Sequence, residues 1–195
     1  MINATEPKRG GQWDAYYEEV GPVENRPYSN EWNDLLTMKI GAAWLNHEDI
    51  AEIEDWGCGF GGFKLVIAED QKYIGLDGSK TAVADKIVDF EDYTSSVDGA
   101  HMRGVIEHNY RWENVLNNFL ASFTKRGVLT LFTPFVEETC IDLEFEWFDG
   151  KMPNISFSKK ELASFFEQHN VKYTLLEGFK TDTEYGIEHV YLLEK

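Results

Sequence analysis

The sequence predicts an α/β protein, an open and largely parallel sheet with helices on its faces. Three observations carry this reading. From residue 51 onward, short apolar runs that read as strands alternate with stretches of helical apolar spacing. The first run ends in clustered glycines, Gly57-Cys58-Gly59-Phe60-Gly61-Gly62. Two final strand-like runs, 172–176 and 188–193, read as a closing pair.

Taken in order, residues 1–30 are rich in polar groups, Gly and Pro but hold Trp13, Tyr16, Tyr17 and Tyr28. Trp13–Val20 reads as one or two helical turns, broken by Pro22 and Pro27, and the segment as an arm or lid. A helix from Asn30 to about His47 follows, with Trp32, Leu35, Leu36, Ile40, Ala43 and Trp44 at helical spacing. Strands are expected at 51–56, 72–76, 86–90, 99–104 and 127–132, and helices at 62–69 and 111–123. The link 77–85 has room for about one turn of helix. Glu52 and Glu54 make the first strand more polar than one buried on both faces should be. Residues 135–157 form an insert in which Phe145, Trp147 and Phe148 lie among acids, a wall for a cationic or sugar-like substrate or a partner surface. A last helix, 158–169, has Ser158 as N-cap and Glu161 as its box partner. All of 1–195 reads as one domain.

Composition narrows the function classes. At 43% hydrophobic and 14% aromatic residues, the chain can fill a core, which excludes global disorder. No run approaches the roughly 18–20 apolar residues of a membrane span, so no membrane partner is expected. Thirty-five acids against 18 bases give a net charge of −17. The basic pairs Lys8-Arg9, Lys125-Arg126 and Lys159-Lys160 are scattered, which disfavours nucleic acid as a partner. Cys58 and Cys140 are too few for a disulfide framework, and no apolar signal segment is seen, so the expected location is cytoplasmic.

Two motifs point to chemistry. A strand that enters Gly57, Gly59 and Gly62 before a helix suits a nucleotide-like ligand lying on bare backbone, although plain tight turns use such glycines too. At the end of the next strand, in Leu76-Asp77-Gly78, Asp77 can take two hydrogen bonds from a ribose diol, or serve as a turn residue.

These residues carry a family resemblance. Asp55-Trp56-Gly57-Cys58-Gly59-Phe60-Gly61 resembles the first motif of class I S-adenosylmethionine-dependent methyltransferases, and Leu76-Asp77 the second. Residues 98–108, ending Val105-Ile106-Glu107-His108, resemble the fourth strand and its sequel, and Gly127–Pro134 the fifth strand. The resemblance spans roughly residues 50–135. It implies a Rossmann-like, mostly parallel sheet of seven strands with helices on both faces and an antiparallel closing pair. It also implies S-adenosyl-L-methionine as cofactor, over a bed of Gly57, Cys58, Gly59 and Gly61. Asp55 would orient the methionine end, Asp77 and Gly78 would meet the ribose, and Phe90, Glu91 and Asp92 would line the adenine pocket. Met102 and Arg103 would face the sulfonium; Phe90 reads equally as a core ring, and Arg103 as the partner of an acid.

The implied function is methyl transfer, with O-methylation of a small molecule or carbohydrate-like acceptor expected. The alternatives are a methyltransferase acting on nucleic acid or protein, and a cofactor-binding or interaction module without catalysis. A nicotinamide-dependent oxidoreductase fits the acid-headed glycine motif less well. His108 is the candidate general base, or a brace at a helix start. The paired acids of metal-dependent members have no counterpart, so no metal is expected. Nothing in the sequence sets an oligomeric state.

Overall fold

The computed structural model describes residues 11–20, 34–80, 83–147, 150–181 and 183–195. Helix α1 (Gly11–Val20) precedes α2 (Asp34–Leu45). Five strands follow in parallel register: β1 (Glu52–Trp56), β2 (Lys72–Asp77), β3 (Lys86–Ile87), β4 (Val97–Arg103) and β5 (Phe123–Leu131), with α3 (Trp112–Ser122) leading into β5. A small three-stranded sheet is built from β6 (Phe135–Val136), β7 (Cys140–Trp147) and β8 (Gly150–Ser158), in the order β6-β8-β7. Helix α4 (Lys159–Gln168) then leads to β9 (Lys172–Lys180) and β10 (Ile187–Glu194).

The main sheet has seven strands in the order β3-β2-β1-β4-β5-β10-β9. β10 runs antiparallel to both β5 and β9, and the other pairs are parallel. Because successive strand residues face opposite ways, each strand feeds two cores. Trp56, Leu76, Met102, Leu129 and Tyr191 face α3 and α4; Ile53, Val128 and Val190 face α2 with Met38 and Leu45. The chain order around the sheet turns back between β1 and β4, which opens a crevice at their C-terminal ends. Among the described residues, no helix is long and apolar enough to cross a membrane.

Several expectations change in detail. The helix expected at 62–69 is a single 3-10 turn, Phe63–Leu65, because Gly62 offers no capping side chain and Val66-Ile67 are β-branched. The third strand stops at Ile87, and Phe90 turns inward to stack on Trp56 at 5.2 Å. Phe123 begins β5 rather than ending the helix. The capping box is not formed: Ser158 makes no side-chain cap bond, and Glu161 accepts instead from the Thr139 N–H at 3.3 Å. The polar first strand keeps its acid buried. Glu54, 1% exposed, accepts from Tyr93 Oη (2.7 Å) and Ser95 Oγ (2.5 Å), which satisfies the carboxylate away from water. Both cysteines are free, Cys58 buried and Cys140 exposed.

One tight contact sets a stability prediction. A Cβ on Gly127 would lie 2.7 Å from the Phe123 ring, in a packed core. Gly127→Ala should cost about 1–3 kcal/mol in urea unfolding by overpacking. Adding Phe123→Leu should recover part of that loss; equal losses in the single and double variants would show that the ring is not the obstacle.

Candidate functional site

A cavity of about 600 Å³ opens at the C-terminal ends of β1, β2 and β4. One wall is the glycine loop after β1. The Gly57 and Cys58 N–H groups both donate to the Leu76 carbonyl at 2.9 Å, tying the loop to β2. Gly57 has φ +76°, and a Cβ there would collide with Val105 Cγ2 at 2.3 Å, so packing against the segment after β4 demands this glycine. Gly59 has φ +51°, and its open face looks toward Tyr17 of α1, whose Oη would lie 3.1 Å from an added Cβ. Burial pushes the Cys58 thiol far up, so it lines the cavity as a small neutral group.

Asp77 stands at the end of β2, 6% exposed, beside Gly78 in the lining. Its Oδ2 accepts from the Gly59 N–H (2.9 Å) and its Oδ1 from the Ser79 N–H (2.8 Å). Burial raises its pKa, and these two amide bonds oppose that rise. Phe90 and Glu91 reach the cavity, their backbone carbonyls held by Asn118 Nδ2 at 3.0 and 2.8 Å. Glu91 pairs with Arg111 at 3.2 Å. Phe90 packs on Trp56 and also lines the cavity wall.

On β4, strand parity separates neighbours that the sequence grouped together. Arg103 lines the cavity and is held by buried Glu188 of β10, whose other oxygen accepts from Thr37 of α2. Met102 faces the opposite way, fully buried against the α3 core, so it does not reach the cavity. Two further expectations are corrected. Gly61 lies outside the lining, its N–H closing a turn onto the Cys58 carbonyl at 2.8 Å. Asp92 is exposed and outside the cavity, because its N–H turns back to the Asp89 carbonyl at 3.0 Å.

Asp55 and His101 share the α2 side of the sheet. Asp55 Oδ2 accepts from Tyr73 Oη, and Asp55 Oδ1 from His101 Nδ1, both at 2.7 Å. The His101 ring lies flat on Phe63, centroids 3.7 Å apart and planes 3° apart. The sequence assigned His101 no role; register places it directly across from Asp55, which strand alignment of the two motifs would have shown.

The mouth is aromatic. His108 packs between Trp13 (5.3 Å) and Phe132 (5.2 Å), and its Nδ1 lies 3.1 Å from the Pro153 carbonyl. A carbonyl only accepts, so Nδ1 carries the proton and Nε2 is the acceptor. Burial lowers the His108 pKa to about 4, which leaves a neutral ring and a weak base at neutral pH. Helix α1 packs at this mouth: Asp14 accepts from Ser79 Oγ (2.6 Å) and the Lys80 N–H (2.7 Å), and Tyr17 packs on Phe60 at 4.8 Å. The Ser79 bond holds the Asp14 carboxyl below the usual range. Tyr28, Pro22 and Pro27 of the expected arm lie outside the described residues.

Three comparisons bear on these features. The chain is 27% identical to a tRNA U34 carboxymethyltransferase of Campylobacter jejuni, over 86% of this chain and 68% of the relative. A structure of the Burkholderia thailandensis 1,6-didemethyltoxoflavin-N1-methyltransferase, with S-adenosylhomocysteine bound, superposes with a TM-score of 0.66 over 98% of this chain and 97% of that one, at 12% identity. The small RNA methyltransferase HEN1 superposes with a TM-score of 0.58 over 90% of this chain and 27% of that one, at 16% identity. No family model matches the chain. The fold is that of the class I S-adenosylmethionine-dependent methyltransferases. The expectation of a small-molecule or sugar-like acceptor, with nucleic acid disfavoured, is overturned by the tRNA-acting relative. Net charge is a weak guide to nucleic-acid binding because it sums the whole surface, whereas charges more than about 8 Å apart are largely screened at physiological salt.

Glu107 gives a pH prediction. It is fully buried, accepts from the Phe132 N–H at 2.9 Å, and has its pKa raised by burial to about 7. Between its unfolded value and about 7, the native state holds the proton more tightly than the unfolded chain. Stability from this group therefore falls as pH rises through that window, by on the order of 3 kcal/mol in full. Glu107→Gln should melt above the parent at pH 8, with the gap closing toward pH 5; a pH-independent gap would refute the assignment.

Proposed function

We propose that the chain binds S-adenosylmethionine in this cavity and transfers its methyl group to a base of an RNA, with tRNA as the substrate class. The observation that carries the reading is the pairing of Asp77 with the bare backbone at Gly59, opening onto an aromatic mouth. The residues present fit the cofactor. Gly59 carries no side chain where it lines the cavity beneath Tyr17, Asp77 has lone pairs left for a ribose diol, and about 600 Å³ lies within the usual range for small-molecule sites.

In this reading Gly57, Cys58 and Gly59 underlie the ribose and methionyl part, with Gly78 beside Asp77 at the sugar. Phe90 and Glu91 form the adenine wall, and Arg103 stands toward the reacting end. When bound, the cofactor supplies an electrophilic methyl carbon on sulfur. The protein's own contribution is alignment and exclusion of water. Trp13, Tyr110 and Phe132 offer faces on which an unstacked base can pack, and His108 Nε2 offers an acceptor for a ring N–H. Arg111 and Arg103 provide cationic groups at the cleft for an approaching phosphate. The relative that acts on tRNA supports this acceptor class.

Calorimetry with S-adenosylhomocysteine tests the cofactor assignment. Asp77→Ala should weaken binding by about 1–3 kcal/mol through loss of charged hydrogen bonds; unchanged affinity would discard the ribose role. Label transfer from methyl-labelled S-adenosylmethionine into total tRNA, made nuclease-sensitive by RNase, tests the acceptor. Label that resists RNase would overturn it. Because the His108 ring is neutral above its lowered pKa of about 4, the kcat/KM profile should show no limb near pH 6.5 from this group. A limb there that disappears in His108→Phe would reinstate it as the base.

A further inference from the structure

His101 is 2% exposed, lines the cavity, and leaves Nε2 buried with no hydrogen-bond partner. Asp55 accepts its Nδ1 proton at 2.7 Å, and the Tyr73 hydroxyl occupies the other Asp55 oxygen. A carboxylate oxygen only accepts, so Nδ1 carries the proton toward Asp55, and in that tautomer Nε2 presents a lone pair. The face-to-face contact with Phe63 fixes the ring plane, and with it the direction of that lone pair. An unsatisfied buried acceptor of this kind costs about 1–3 kcal/mol, which a ligand that supplies a donor would recover.

Position says which part of a ligand arrives there. Asp77 is on β2, the glycine loop follows β1, and His101 is on β4, two residues below Arg103. Two strand spacings, roughly 10 Å, separate the Asp77 end of the cavity from the His101 end. A ligand whose ribose meets Asp77 and whose chain crosses the loop after β1 therefore points its far end at β4. That end carries an α-ammonium group in an adenosyl amino acid, a charged donor suited to a lone pair backed by a carboxylate.

We propose that His101, oriented by Asp55, binds the ammonium of the ligand's amino-acid end through Nε2, with Tyr73 and Phe63 as positioning residues. This rests on the cavity being an adenosyl-amino-acid site, and it moves the contact from Asp55, whose oxygens are already engaged, to the imidazole beside it.

The test compares two probes, S-adenosylhomocysteine and 5′-methylthioadenosine, which keeps the adenosyl thioether and lacks the amino-acid end. Affinities are measured by calorimetry for the parent, for His101→Phe, which keeps a ring on Phe63, and for His101→Asn, which keeps a donor toward Asp55. The parent should prefer S-adenosylhomocysteine by tenfold or more. Both variants should lose roughly ten- to a hundredfold for that ligand, from a hydrogen bond to a charged group. Their binding of methylthioadenosine should change by less than about twofold. Equal losses for both ligands, or no loss in a folded variant, would overturn the role of His101. A parent that binds both probes equally would overturn it while leaving the cofactor reading intact. A parent that binds neither would overturn the cofactor reading itself.

Discussion

The Asp77 carboxylate holds the cavity together by accepting two backbone N–H bonds, from Gly59 and from Ser79. The other hydrogen bonds that tie the loop after β1 to β2 among the described residues run to the Leu76 carbonyl. The arrangement is costly because the acid is nearly buried, and the cost appears as a raised pKa. Ligand hydroxyls that donate to the same oxygens would offset part of that cost. The group that shapes the loop is therefore also one that gains from an occupant.

Other buried acids follow a related pattern. Glu54 is satisfied by Tyr93 and Ser95, Asp55 by Tyr73 and His101, and Glu188 by Arg103 and Thr37. Each carboxylate is met by a partner from a different element, so the network sets how β1, β4, β10 and α2 meet around the crevice. Removing one partner of such a pair leaves a buried charge uncompensated, which is why these contacts specify geometry more than they add stability. Arg103 gains most directly, since Glu188 holds its guanidinium at the cavity wall.

The chain's acidity and its proposed RNA acceptor are reconciled by locality. Base recognition by stacking needs aromatic faces and a few donors or acceptors, and the mouth supplies Trp13, Phe132, Tyr110 and His108. Few phosphate contacts also mean little counterion release, so a binder of this kind depends weakly on salt. In the proposed function, the histidine at this mouth is part of that surface. Burial lowers its pKa to about 4, so the neutral ring is a weak proton acceptor and a ready hydrogen-bond partner.

The backbone pattern was legible from the residues alone. Apolar periodicity located the strands of the main sheet and the helices α2, α3 and α4 to within a few residues, but not the small sheet of β6, β7 and β8 or the loss of the helix at 62–69. The spacing of Gly57, Gly59 and Asp77 located the crevice, because these depend on local φ/ψ demands and chain order. The failures came where neighbouring elements decide. Met102 and Arg103 are adjacent in sequence yet face opposite sides of the sheet, and only the pairing of β4 with β1 shows which of them meets the cavity. His101 looked isolated because its partner Asp55 is 46 positions away and becomes adjacent through strand register. His108 stayed open between base and brace because the burial that lowers its pKa comes from packing with other segments, Trp13 and Phe132 among them. The sequence by itself therefore determined the order of elements and the bare backbone at the first turn. The tertiary structure decided which side chains face that backbone and in what protonation state, because desolvation and hydrogen-bond partners arise only when distant strands pack together.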